Sequence, residues 1–90
     1  MNPTTYTPKL RPTLAEAQAM VGGYVAMALD RPYRQVLVDE DGFAKELPDN
    51  EEASVLCGYS VVGNAIVLEG KAMWIDEDAE EDLIGEEAYP

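Results

Sequence analysis

The pattern of apolar and polar residues first becomes regular between Thr13 and Gly23, where it has the features of a short helix. Thr13 and Glu16 have the capping-box spacing, in which each side chain hydrogen-bonds the backbone N–H of the other residue. Apolar residues then recur at helical intervals, at Leu14, Ala17 and Val21. The Gly22-Gly23 pair is typical of a helix C-terminus. We therefore expect a helix from Leu14 to about Val21.

Short apolar runs separated by turn residues follow this helix. Residues 24–29 fit a helix or a strand by periodicity, and one continuous helix over residues 14–29 is the alternative. We favour a strand, because a plausible turn follows and the β-rich run at residues 35–38 supplies a partner. Residues 39–42, Asp-Glu-Asp-Gly, predict a tight turn, after which residues 43–45 pair back as a third short strand.

A second helix and a last strand complete the predicted domain. Asp49 or Asn50 can cap a helix whose first turn carries two glutamates, where the helix dipole favours negative charge, and Gly58 ends it. Residues 65–68 predict the last strand, and residues 72–75 either add another strand or pack across the core. The expected fold is α+β, a small antiparallel sheet of about three to five short strands packed with two short helices.

The 90 residues divide into three parts by composition. Residues 1–12 contain three prolines and predict an extended arm, with a short edge strand near Tyr6. Residues 13–75 predict a single domain, since a chain of this length can build only one core. Residues 76–90 predict an acidic, mobile tail, although Ile75, Ala79 and Leu83 have the spacing of an amphipathic helix. Folding of the tail on a partner reconciles the two patterns.

The charge balance narrows the choice of partners. The chain has 18 acidic and six basic residues, a formal net charge of −12, and the basic residues form no run. Direct nucleic-acid binding is disfavoured because it needs a basic patch. A basic surface on another protein is the natural electrostatic partner. The alternative is that the negative charge has no specific partner and only keeps the protein soluble. Self-association stays open.

The sequence also predicts the cellular compartment of the protein. No apolar stretch approaches the ~20 residues of a membrane span, so we expect no membrane partner. The first residues lack the pattern of a secretory signal, and a single cysteine cannot form an internal disulfide. We therefore expect a cytosolic protein.

Catalytic chemistry finds little support in the residue types. The chain contains no histidine, which excludes Ser-His-Asp and Cys-His catalysis within it, and one cysteine cannot build a zinc site. Cys57 is expected to be a small buried hydrophobic residue rather than a reactive thiol. Residues 39–42 predict a turn rather than a calcium loop, because Pro48 stands where the last glutamate ligand is needed. We expect no catalytic, metal-binding or cofactor-binding residues and no cofactor.

The aromatic residues give the remaining site predictions. Tyr24, Tyr33 and Tyr59 are expected to be half-buried in the core. Trp74 stands beside the acidic tail, and tryptophan is enriched in binding hot spots, although a sole tryptophan is more often a core anchor. The predicted partner-binding residues are Trp74, Ile75, Asp76, Glu77, Asp78, Glu80, Glu81, Asp82 and Leu83.

Four separated motifs occur in a fixed order along most of the domain. They are Leu14–Val25, Val36–Gly42, Leu47–Ala53 and Val62–Leu68. In this order the chain resembles the small bacteriophage and plasmid proteins grouped as domain of unknown function 3846. The resemblance implies a mobile-element origin, a host cell cytoplasm location and a strand over residues 24–29. It implies a strand before the first helix, which the proline-bearing arm makes less obvious here, and it transfers no catalytic residues.

The sequence therefore favours a binding protein over an enzyme. The expected function is that of a non-enzymatic bacteriophage or plasmid accessory protein, a host-takeover or anti-defence candidate. It would bind a host or defence protein and occupy a basic, nucleic-acid-binding surface. The alternatives are a small-ligand-binding or enzymatic domain with a site near Gly22-Gly23 and Asn50, or an oligomeric structural or assembly protein.

Overall fold

The computed structural model describes residues 3–74, which form four strands and two α-helices. The elements are β1 (Thr5–Tyr6), α1 (Leu14–Val21), β2 (Val25–Arg31), β3 (Arg34–Asp39), α2 (Glu51–Cys57) and β4 (Ala65–Leu68), followed by one 3₁₀ turn (Gly70–Ala72). The predicted α+β class, with a small sheet and two short helices, is confirmed.

The sheet has the strand order β1-β4-β3-β2. Strands β2, β3 and β4 pair antiparallel, as predicted, while β1 adds to the other side of β4 in parallel. Two hydrogen bonds of the Thr4 backbone fix this parallel pair. Its N–H donates to Asn64 Oδ1 over 2.8 Å, and its carbonyl accepts from Ala65 N over 3.0 Å. The sheet is therefore mixed, and the edge strand predicted near Tyr6 is present.

Helix α1 begins and ends where the sequence predicts. Thr13 and Glu16 form the full capping box, with Glu16 N donating to Thr13 Oγ1 and Thr13 N donating to Glu16 Oε1. Gly22 closes the helix in the left-handed conformation, at φ 84°, where a side chain would be strained. This cap ends the helix before residue 24, so the alternative of one helix over residues 14–29 is wrong and the predicted strand is confirmed.

Residues 40–46 form a series of turns, so the third short strand predicted at residues 43–45 is wrong. Lys45 N donates to the carbonyl of Asp41, and Glu46 N donates to that of Phe43. Glu46 itself has a φ of 57°. These local bonds coil the segment and leave no extended backbone to pair with β3.

Each face of the sheet carries its own apolar core. Helix α1 covers one face, where the core contains Ala17, Val21, Leu37, Ile66, Leu68, Ala72 and Met73. The second core contains Ala53 of α2 with Val36, Val61, Ala65 and Val67. Because the side chains of a strand point alternately to the two faces, Val36 and Leu37 enter different cores. Residues 70–74 pack against the first core and form no strand there.

The three tyrosines predicted to be half-buried are exposed, so that prediction is wrong. The exposed fractions are 69% for Tyr24, 66% for Tyr33 and 52% for Tyr59. Tyr24 lies just before β2 and Tyr33 lies in the turn between β2 and β3. Positions at strand ends fall outside both layers of helix, so an aromatic ring there meets solvent.

The sheet has two chemically different ends. We call the end where residues 40–50 leave β3 the loop end. The opposite end, where Pro32 and Tyr33 connect β2 to β3, is the hairpin end. Residue 50 lies at the loop end because its side chain donates to Thr5 Oγ1 at the start of β1.

Candidate protein-binding surface

A buried carboxylate anchors the loop end. Asp39 is 4% exposed, and its Oδ1 accepts from the backbone N–H of Asp41 over 2.8 Å. Its Oδ2 lies 2.8 Å from Lys45 Nζ, which also donates to the carbonyl of Gly22 over 3.2 Å. A Cβ at Gly23 would approach Lys45 Nζ to 2.8 Å and Asp39 Oδ1 to 2.9 Å, so a larger residue there would displace this ion pair. The pair fastens the loop to the end of α1.

The electrostatics of Asp39 favour its ionised form. Burial alone raises the pKa of this carboxyl, because desolvation disfavours the charge. The hydrogen bonds from Lys45 and from the backbone of Asp41, together with the Lys45 charge, outweigh burial and lower the pKa below its ordinary value. The buried carboxylate is thus a structural group with its hydrogen-bonding partners in place.

Charge is segregated between the two ends of the sheet. Six exposed acidic residues lie at the loop end: Glu40, Asp41, Glu46, Asp49, Glu51 and Glu52. Among residues 3–74, the one basic side chain at that end is Lys45, which is paired with Asp39. The other five basic residues, Lys9, Arg11, Arg31, Arg34 and Lys71, lie toward the hairpin end. The loop end is therefore the strongly negative pole of the described domain.

Exposed aromatic side chains adjoin the negative pole. Phe43, in the middle of the acidic loop, is 69% exposed. Together with Tyr59 it lines a cleft of about 200 Å³ above β2 and β3, whose apolar floor includes Ala28, Val38 and Val61. The hydroxyl of Tyr59 donates to the carbonyl of Ala28, which fixes the ring at the side of β2. Acidic and aromatic groups thus share one surface.

The two parts of the alternative ligand site do not meet. Gly23 lines a cleft of about 310 Å³ with Gln18, Tyr24, Asp41 and Lys45. Asn50 lies at a different cleft, and its own amide group is engaged by the protein. Its Oδ1 accepts from Ala53 N, while its Nδ2 donates to Thr5 Oγ1 and to the carbonyl of Gly63. Asn50 therefore holds the fold together at the start of α2.

Trp74 is the last residue that the structure describes, and its contacts hold it against the domain. Its indole N–H donates to the carbonyl of Pro12 over 2.9 Å. Its backbone N–H donates to Gln35 Oε1 and its carbonyl accepts from Gln35 Nε2, both over 2.7 Å. The ring also packs against the first core. The other predicted partner-binding residues, Ile75, Asp76, Glu77, Asp78, Glu80, Glu81, Asp82 and Leu83, lie outside the described residues.

Cys57 lies near the end of α2 and is half-buried beside the second core. Burial raises the pKa of its thiol, which lowers the fraction of reactive thiolate at neutral pH. The structure thus favours the expected packing role over a nucleophilic one. Within residues 3–74, no cluster of three metal-binding side chains occurs, and no helix there is long and apolar enough to cross a membrane.

Comparison with protein-family models, curated proteins and solved structures finds no match to this chain.

Proposed function

We propose that this chain is a non-enzymatic bacteriophage or plasmid accessory protein that binds a basic surface of a host or defence protein. The observation that supports this proposal is the segregation of charge, with six exposed carboxylates at the loop end and five of six basic residues toward the other end. Such a field orients an approaching basic surface and accelerates its encounter with the negative pole. The proposed location is the cytoplasm of the host cell.

The partner's surface is proposed to be one that otherwise binds nucleic acid. Basic nucleic-acid-binding grooves complement closely spaced phosphates, since duplex DNA carries one charge per ~1.7 Å of axis. The loop-end carboxylates are carried on a backbone held by the Asp39–Lys45 pair and by turn hydrogen bonds. A backbone held in this way reduces the freedom that these carboxylates lose on binding, which favours them over a flexible chain as imitators of phosphate.

The acidic segment after Trp74 is proposed to add a second contact. Eight of the 18 acidic residues fall between Asp76 and Glu87, with no basic residue among them. Trp74, the last described residue before the segment, lies at the hairpin end, because it is hydrogen-bonded to Gln35 and Pro12 there. Trp74 and Ile75 at its root are the apolar residues proposed to accompany the charges. Two negative regions on one small protein would raise avidity for an extended basic surface.

A pull-down from bacterial lysate at low and high salt tests this proposal. The matched variants are a loop-end triple, Glu40→Gln, Asp41→Asn and Glu46→Gln, and a control triple elsewhere, Glu16→Gln, Asp30→Asn and Glu69→Gln. We expect the full chain and the control triple to retain a partner at low salt and release it at high salt. We expect the loop-end triple, and the chain lacking residues 76–87, to retain clearly less. Absence of any salt-sensitive partner would contradict the proposal.

A further inference from the structure

We propose that the cleft between Phe43 and Tyr59 takes an apolar side chain from a lysine- or arginine-rich extended segment of a partner protein. This inference rests on the proposed function and deepens it, because it names the surface and the chemistry of the segment that binds there. We call the cleft with its two aromatic walls the aromatic cleft.

The dimensions of the aromatic cleft suit one side chain. Its volume of about 200 Å³ is below the roughly 300–1,000 Å³ of pockets for small molecules. Its lining is mostly apolar, with Ala28, Val38 and Val62 from β2, β3 and the segment before β4, although Ser60 and the buried Asp39 also line it. An apolar side chain placed there would lose contact with water on the side that faces the cleft, and would cover part of the exposed Phe43 ring as well.

The loop that carries Phe43 is held rigidly, although the ring is exposed. Gly42 is buried, and a Cβ there would lie 3.0 Å from Val62 Cγ2, so the loop backbone packs directly against the segment that precedes β4. Leu47 N donates to the carbonyl of Gly42 over 3.1 Å, which closes the turn. A ring on a fixed backbone loses little freedom on contact, so its burial translates efficiently into affinity.

Tyr59 also lines the aromatic cleft, and it is positioned by a hydrogen bond. Its hydroxyl donates to the carbonyl of Ala28, at the bulge where the pairing of β2 with β3 shifts between Met27 and Leu29. Strand β2 lies at one end of the strand order, and in residues 3–74 no strand pairs with its outer edge. An extended segment beside this edge can reach both its free backbone groups and the aromatic cleft.

The negative charge around the aromatic cleft favours a basic partner segment. Glu40, Asp41 and Glu46 belong to the same loop as Phe43, and all three are exposed. They complement lysine and arginine side chains that flank the inserted apolar residue, and they repel nucleic acid. A second copy of this chain is disfavoured, because its formal charge is also −12.

A labelled lysine-rich peptide with one central phenylalanine is the probe for this inference. Its matched peptides carry alanine in the centre, or glutamates in place of the lysines. Fluorescence anisotropy measures their affinity for the full chain, for Phe43→Ala, and for Tyr33→Ala, which removes an equally exposed ring at the hairpin end. Light scattering of each protein alone monitors its oligomeric state, and circular dichroism its fold.

We expect the phenylalanine peptide to bind, and Phe43→Ala to weaken it about tenfold, as truncation of an interface hot spot does. Tyr33→Ala should change the affinity by less than about twofold. Replacing the central phenylalanine should cost the wild type about tenfold and Phe43→Ala much less, because the two changes remove the same contact. The glutamate peptide should not bind.

Several results would overturn the inference. Equal binding of the phenylalanine and alanine peptides would mean that charge alone attracts them, and the proposed function would then stand without the aromatic cleft. Failure of every lysine-rich peptide to bind would also overturn it, while the lysate pull-down would still decide the proposed function. If the wild-type chain is an oligomer and Phe43→Ala converts it to a monomer, a second copy of the chain occupies the cleft, which would also overturn the inference.

Discussion

Asp39 shows how one buried side chain can organise a charged loop. Its carboxylate accepts from the backbone of Asp41 and pairs with Lys45, whose side chain is partly exposed. These bonds join β3, the acidic loop and the end of α1 at Gly22. A neutral side chain of the same shape can keep the bond to Asp41 and lose the ionic one, which makes the contribution of charge measurable.

We predict that Asp39→Asn lowers the free energy of unfolding by about 1.5–3 kcal/mol near pH 7, the usual range for a hydrogen bond to a charged group. The folded pKa of Asp39 is lowered, so its stabilisation is complete above the ordinary value of 3.8 and is lost as pH falls through the folded value. The difference between wild type and variant should therefore shrink in acid. Urea unfolding at neutral and acidic pH measures this.

Asp41→Asn is the control for that experiment, because Asp41 is exposed in the same loop. It should change the free energy of unfolding by less than about 0.5 kcal/mol at either pH. A deficit of Asp39→Asn that stays constant down to strongly acidic pH would show that the ion pair is not its source.

Residue chemistry alone could predict some contacts and not others. The capping box at Thr13 and Glu16 was predictable because both partners are local in sequence. The clamp between Gln35 and Trp74 was not, since it joins residues 39 positions apart. Its signal in the sequence is weak, a polar residue at the start of an otherwise apolar strand.

At the scale of elements, the two helix caps differ in what they hold. Thr13 caps α1 at an exposed site, where its partner is a neighbouring residue. Asn50 caps α2 through Ala53 N and is buried, and its amide also bonds Thr5 and the carbonyl of Gly63. Asn50 thus caps α2 and also links this helix to β1 and to the turn before β4.

We predict that Asn50→Ala lowers the free energy of unfolding by about 2–4 kcal/mol, because it removes the cap and leaves buried partners without hydrogen bonds. Thr13→Ala, the matched cap variant, should cost about 1 kcal/mol. Urea denaturation followed by circular dichroism gives both values. Equal costs for the two variants would contradict the bridging role of Asn50.

The elements were predictable wherever local signals agreed. Gly22 and Gly58 end the helices as expected, and the runs at residues 35–38 and 65–68 form strands. The strand predicted at residues 43–45 is absent, because Phe-Ala-Lys has no strong preference for a strand. The hydrogen bonds from Lys45 N and Glu46 N to earlier carbonyls coil the loop instead. The parallel pairing of β1 was not predictable, since it depends on a hydrogen bond between Thr4 and Asn64, which are 60 positions apart in the sequence.

At the scale of the whole molecule, the acidity has two locations. The run after Asp76 is visible in the sequence because its residues are consecutive. The loop-end group also falls in one stretch, residues 40–52, and folding makes it a negative pole by placing five of the six basic residues toward the hairpin end. Sequence reasoning identified the first and missed the second, together with the exposure of Phe43 in its midst.

The association rate constant of a partner purified from the lysate, measured against salt concentration, tests the central claim most directly. Rates for the full chain should fall steeply as salt rises, because screening removes long-range attraction. The loop-end triple variant and the chain lacking residues 76–87 should each associate more slowly at low salt and depend less on salt. The control triple variant should stay closer to the full chain. An association rate that is independent of salt, and equal for all four proteins, would contradict charge-driven binding to a basic partner.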